Sequence, residues 1–166
     1  MPETSASIEC SPAKSERELR YEQFAEAISC SNLDDFYRVV LDSIPSPLLI
    51  VEKDVIIVDY NVSANSLISE QREAALKQRF GQAIHCLHSH DVPAGCGRGP
   101  DCGQCLIRNA VNHALNGTAI TRQKLELELV ETDKTRKAVY WLTTTPLTYG
   151  QRTYALLLLD QAESPP

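Results

Sequence analysis

What most constrains this chain is a change of hydrophobic period at Asn116 and Gly117. Before it, Leu106, Ile107, Ala110, Val111, Ala114 and Leu115 recur at helical spacing, which puts them on one buried face, and Gly117 suits the C-terminal stop of such a helix. After it, Leu125, Leu127 and Leu129 alternate with Glu126 and Glu128, and Val139, Trp141 and Thr143 alternate with Tyr140, Leu142 and Thr144. Tyr154 to Leu159 is a nearly continuous apolar run. A period of two sends successive side chains to opposite faces of a strand. The C-terminal part is therefore expected to be three long strands at Ile120–Val130, Ala138–Thr145 and Thr153–Asp160, joined by turns at Thr132–Lys137 and Pro146–Gln151.

Upstream, two short aliphatic runs, Leu48–Glu52 and Val55–Tyr60, are separated only by polar residues and predict a hairpin whose turn lacks glycine. A helix from Asn32, with Leu33, Phe36, Val40 and Ile44 as its apolar stripe, precedes them and ends at Pro45 and Pro47. Asn61 and Ser63 are expected to cap a short helical stretch containing Ala64, Leu67 and Ile68, and Glu70–Phe80 reads as a polar helix closed by Gly81. Ser15 and Glu18 stand at capping-box spacing and open an amphipathic helix, Ser15–Ser29, with Tyr21, Phe24, Ala25 and Ile28 on one face. The expected organisation is a disordered tail at 1–14, an N-terminal helix at 15–31, one α+β domain at 32–161 and a short tail at 162–166.

Composition narrows the function. Sixteen Lys and Arg against 22 Asp and Glu leave a net charge of −6, so direct nucleic-acid binding is not expected. No apolar run approaches a membrane span and Met1–Glu9 is polar and acidic, which predicts a cytoplasmic chain without a membrane segment. Neither an activated nucleophile with its base nor a phosphate-binding glycine motif is visible, so no enzymatic activity is expected.

In a reducing compartment cysteines serve as metal ligands or redox thiols more often than as disulfides. Four of the six, Cys86, Cys96, Cys102 and Cys105, share one 20-residue segment as C-x9-C-x5-C-x2-C. The segment also holds Gly95, Gly97, Gly99 and Gly103, which let a backbone wrap closely around a small centre. Soft thiolates suit a tetrahedral zinc or an iron-sulfur cluster. Zinc sites usually show two short knuckles, whereas a single C-x2-C with irregular gaps in a glycine-rich loop favours a cluster. Zinc, and thiols without metal, stay open as alternatives. Cys105 would begin the 106–115 helix, whose N-terminal N–H groups favour negative charge. His85 or His88 could stand in for Cys86; as loop residues they are more simply solvated, and Cys10 and Cys30 read as ordinary thiols. Glu126, Glu128, His113 and Trp141 are assigned no chemistry.

The stretch from Phe36 to Ile68, with Ile44-Pro45, the strand ending Ile56-Ile57-Val58-Asp59-Tyr60-Asn61 and then Ala64, resembles the opening of a PAS sensory domain. Tyr140 to Asp160, with Thr145-Pro146-Leu147 and Leu157-Leu158-Leu159-Asp160, resembles that family's last two strands. The resemblance covers Leu33 to Gln161, and the four-cysteine insert is a departure from the ordinary pattern. It implies a five-stranded antiparallel sheet with helices on one face around a pocket, and a role in sensing ligands, redox state, oxygen or light. Many members pair through an N-terminal helix, so a homodimer is expected. With six residues after Asp160 and no effector segment, the chain is expected to act on another protein, a kinase or regulator.

Overall fold

A computed structural model describes residues 15–30, 33–131 and 134–162. Its five strands are β1 (Leu48–Glu52), β2 (Ile56–Tyr60), β3 (Ile120–Glu131), β4 (Lys134–Tyr149) and β5 (Arg152–Gln161). They form one antiparallel sheet in the order β2-β1-β5-β4-β3. The helices are α1 (Glu16–Cys30), α2 (Leu33–Asp42), α3 (Arg72–Ala75), α4 (Phe80–Ala83) and α5 (Leu106–Leu115). By its internal packing the chain divides into two units, one ending at Arg38 and one beginning at Val39.

In the larger unit the inward face of the sheet meets α5. Ile107, Ala110, Val111 and Ala114 are buried on that helix, and Leu125, Leu127, Leu129, Leu142, Leu157 and Leu159 are buried on the strands. The alternation seen in the sequence is what produces this layer, because alternate residues of β3 from Leu125 to Leu129 and of β4 from Ala138 to Thr144 are buried. On the opposite face Leu48 and Ile50 pack with Leu41, Ile44, Leu156 and Leu158. Asn61 clamps the start of the sheet. Its side chain accepts from the N–H groups of Leu48 and Ala64 at 3.0 and 3.1 Å and donates to the carbonyls of Ile44 and Ser46, each at 2.9 Å.

In the smaller unit the capping box is formed: the Ser15 N–H and hydroxyl each donate to Glu18 Oε2 at 2.7 Å, and the Glu18 N–H donates back at 3.3 Å. Leu19, Tyr21 and Phe24 are exposed. Phe24 meets Phe36 edge to face at 6.0 Å. The helix is less amphipathic than expected, since Leu19 and Tyr21 project ~200° apart.

Several expected elements differ. The 70–80 segment is not one helix: α3 spans four residues, Lys77 takes φ 71°, and the chain then runs along the edge of β2. There the Ile57 N–H donates to the Gln78 carbonyl at 2.8 Å and the Lys77 N–H to the Ile57 carbonyl at 2.9 Å. Satisfying an otherwise open strand edge outweighs helix propensity. Gly81 consequently lies inside α4 rather than ending a helix. Ser63 is not a cap; its hydroxyl donates to the Ile44 carbonyl at 2.9 Å. Val40 and Leu106 are exposed, and Leu41 supplies the buried contact expected of Val40.

Strand β4 begins at Lys134 and continues through Pro146, so both turns are shorter than their sequences suggested. Pro146 is tolerated because β3 pairs with β4 only as far as Thr144, leaving β4 a partner on one side at that point. The hairpin without glycine turns through Asp54 and Val55, both in the left-handed region at φ 63° and 58°. Of the expected tails at 1–14 and 162–166, residues 1–14, Cys10 among them, and 163–166 lie outside the described residues, while the Ala162 N–H donates to the Val139 carbonyl at 3.0 Å.

Candidate metal centre

The four cysteines reach one place from separate local structures. Cys86 follows α4 and bridges to Leu129 at the free edge of β3, where the Val130 N–H donates to the His85 carbonyl at 2.8 Å. Cys96 stands between Gly95 and Gly97, whose φ values of 75° and 80° admit glycine readily and other residues poorly. Cys102 lies in a single 3-10 turn, Pro100–Gln104, and Cys105 is the residue immediately before α5. Arginines tie the loop to the domain: Arg79 donates to the Ala94 carbonyl and Arg108 to the Gly97 carbonyl, both at 3.1 Å. Arg98 lies 3.6 Å from Asp54.

All four cysteines line a cavity of about 530 Å³, together with Phe80, Ile84, Ile107, Leu125 and Leu127. Cys102 is buried, the other three are half-buried, and all are free thiols. Burial pushes the Cys86 and Cys96 thiols up, Cys96 to about 11, and negative charge on the neighbouring thiols pushes the same way. The backbone at His88 and Ser89 opposes this at Cys86, and the backbone at Gly81 opposes it at Cys96. Desolvated, mutually repelling thiolates are unfavourable alone and favourable around a cation. The donor set thus fits a thiolate-bound metal group.

A single zinc with four sulfurs at 2.3 Å needs them about 3.8 Å from one another in a tetrahedron. Among the described residues no three cysteine sulfurs lie within 4.8 Å of one another; the one such group of ligand atoms is His88, Asp91 and Asp101. His88 Nδ1 is 2.9 Å from Asp91 Oδ2 and 3.7 Å from Asp101 Oδ2, at the rim of the cavity. The sequence reading missed this cluster, whose only signal was His88-x2-Asp91 beside the cysteines. His85 lines a different, more open groove with His90. Cys30 closes α1 in the other unit.

The pKa direction gives a first prediction. Because the Cys96 thiol titrates near 11 rather than the ordinary 9.0, its contribution to stability is complete below pH 9 and is lost as pH rises towards 11. Buried Tyr60 and Tyr140 are also raised, so alkaline lability alone is not diagnostic. The metal-free Cys96→Ser variant should show a flatter fall in urea midpoint between pH 9 and 11 than the parent, and an identical profile would refute the assignment.

Comparison with known proteins places the fold. The chain has the PAS fold. The PAS domain of nitrogen regulation protein NR(II) from Vibrio parahaemolyticus superposes with a TM-score of 0.51 at 16% identity, over 75% of this chain and 96% of that one. The PAS domain of a protein from Colwellia psychrerythraea gives 0.52 at 16% identity, over 79% and 98%. The PAS domain of an HTR-like protein from Haloarcula marismortui gives 0.51 at 11% identity, over 78% and 97%. No protein-family profile and no curated protein matches the chain. Among the described residues no helix is long and apolar enough to cross a membrane.

Proposed function

We propose that this chain is a cytoplasmic PAS-type signal sensor, not an enzyme, in which Cys86, Cys96, Cys102 and Cys105 hold an iron-sulfur cluster that responds to redox state, oxygen or metal supply. What carries the reading is the convergence of four thiols on the wall of one cavity, with burial pushing two of them up. Such a cluster, when bound, supplies a one-electron couple. The chain's own part is to hold the sulfurs, exclude water and pass on a change in the loop. Two connections serve that purpose: the Cys86 to Leu129 bridge at β3, and Cys105 at the start of α5, which packs on β3, β4 and β5.

The test is anaerobic purification followed by a visible spectrum and assay of iron, sulfide and zinc per chain. Visible absorption with iron and sulfide supports the reading. Stoichiometric zinc without sulfide would convert the centre to a structural one, in a PAS interaction module without sensing chemistry.

The output is contact with an effector protein, a kinase or regulator, made by a homodimer joined through α1. Exposed Tyr21 and Phe24 favour that joint, since exposed aromatic surface is costly in water. Deleting residues 1–30 should convert a dimer into a monomer in sedimentation. A truncated chain that stays dimeric places the interface elsewhere.

A further inference from the structure

Gly81 lies outside the cysteine-rich segment, in α4, and is buried. Its backbone is not in the left-handed region, so its conformation does not require glycine. Space does. A Cβ at this position would lie 2.5 Å from Cys96 Sγ, 3.2 Å from Cys96 Cβ and 3.5 Å from Cys86 Cβ, and the first distance is far inside van der Waals contact. The backbone of the same residue binds Cys86. Its carbonyl accepts the Cys86 N–H at 2.8 Å, so the residue that Cys96 packs against also holds the Cys86 backbone.

We propose that Gly81 is the positioning residue that seats Cys96 beside Cys86, joining two cysteines that nine residues separate. Its importance to a metal centre rests on the reading under Proposed function; the seat itself rests on the chain alone. The contrast is Gly103, inside the Cys102-x2-Cys105 knuckle. Gly103 is exposed, has no positive φ, and a Cβ there meets nothing within 4 Å. An alanine at 103 therefore meets open space, whereas one at 81 requires Cys96 to move.

The test uses the full chain, reduced and metal-free, as the parent, Gly81→Ala, Gly103→Ala, Cys96→Ala and the Gly81→Ala/Cys96→Ala pair. Urea denaturation should show a lowered midpoint for Gly81→Ala, a much smaller shift for the same change in the Cys96→Ala background, and no shift for Gly103→Ala. Iodoacetamide should modify Cys96 several-fold faster in Gly81→Ala than in the parent. Equal shifts in the two backgrounds, or an unchanged alkylation rate, would overturn the proposal. If Gly81→Ala does not fold, folding of the double variant supports the seat and its failure to fold overturns it. Reconstitution with ferrous iron and sulfide then separates the two readings. A parent that takes up neither iron nor zinc defeats the metal centre, while the urea cycle still decides Gly81. A parent that loads iron as fully with alanine at 81 as with glycine defeats the positioning role.

Discussion

Cys102→Ser, purified anaerobically, is expected to carry essentially no iron or sulfide, while Cys10→Ser loads as the parent does. Cys102 is the most buried of the four cysteines, at 6% exposure, and stands in the short turn that also orients Cys105 through a Cys105 N–H to Cys102 carbonyl bond of 3.4 Å. A serine oxygen there is a hard donor in place of a soft one. Because metal binding contributes folding free energy to the segment that binds it, the loop should also loosen. Arg98 is exposed in that loop and reports on it, so trypsin should cut after Arg98 faster in Cys102→Ser than in the loaded parent. A variant that retains full iron would remove Cys102 from the centre. Unchanged cleavage would show that the centre does not order the loop.

Asn61→Ala is expected to cost on the order of 3 kcal/mol, because its side chain is fully buried and its four hydrogen bonds all go to backbone groups. Alanine leaves the Leu48 and Ala64 N–H groups and the Ile44 and Ser46 carbonyls without that partner. For a chain of this length the loss corresponds to a fall in Tm of roughly 10 °C. Urea and thermal unfolding of the metal-free chain measure it directly. A loss below about 1 kcal/mol would mean that water replaces the side chain, and that Asn61 caps the turn without clamping the sheet.

Asn61 also shows how much was legible in the sequence. Its role as a cap followed from its place before Ala64. Its grip on Ile44, Ser46 and Leu48 could not be read, since those contacts depend on β1 and β2 lying side by side. The same division runs through the cysteines. Their number, softness and glycine-rich setting marked Cys86, Cys96, Cys102 and Cys105 as a group, yet their distances came from elsewhere: Cys86 is held by β3, Cys96 by α4, and Cys105 by α5. Gly81, lacking any motif of its own, was read as a helix end.

By itself the sequence determined the elements whose signal is local and repeated. Leu125, Leu127 and Leu129 alternate because one face of β3 is buried, and Ile107, Ala110, Val111 and Ala114 recur at helical spacing because one face of α5 is. A wrong assignment in either would have placed leucines in water along its whole length. Only the tertiary structure decided what depends on a single backbone pairing. Lys77 and Gln78 left the helix to cover the edge of β2, Pro146 stayed in a strand because β3 had already ended, and His88, Asp91 and Asp101 met at a cavity rim from two turns of one loop. Each of these outcomes turns on which segments lie side by side in the fold, and no period along the chain encodes that.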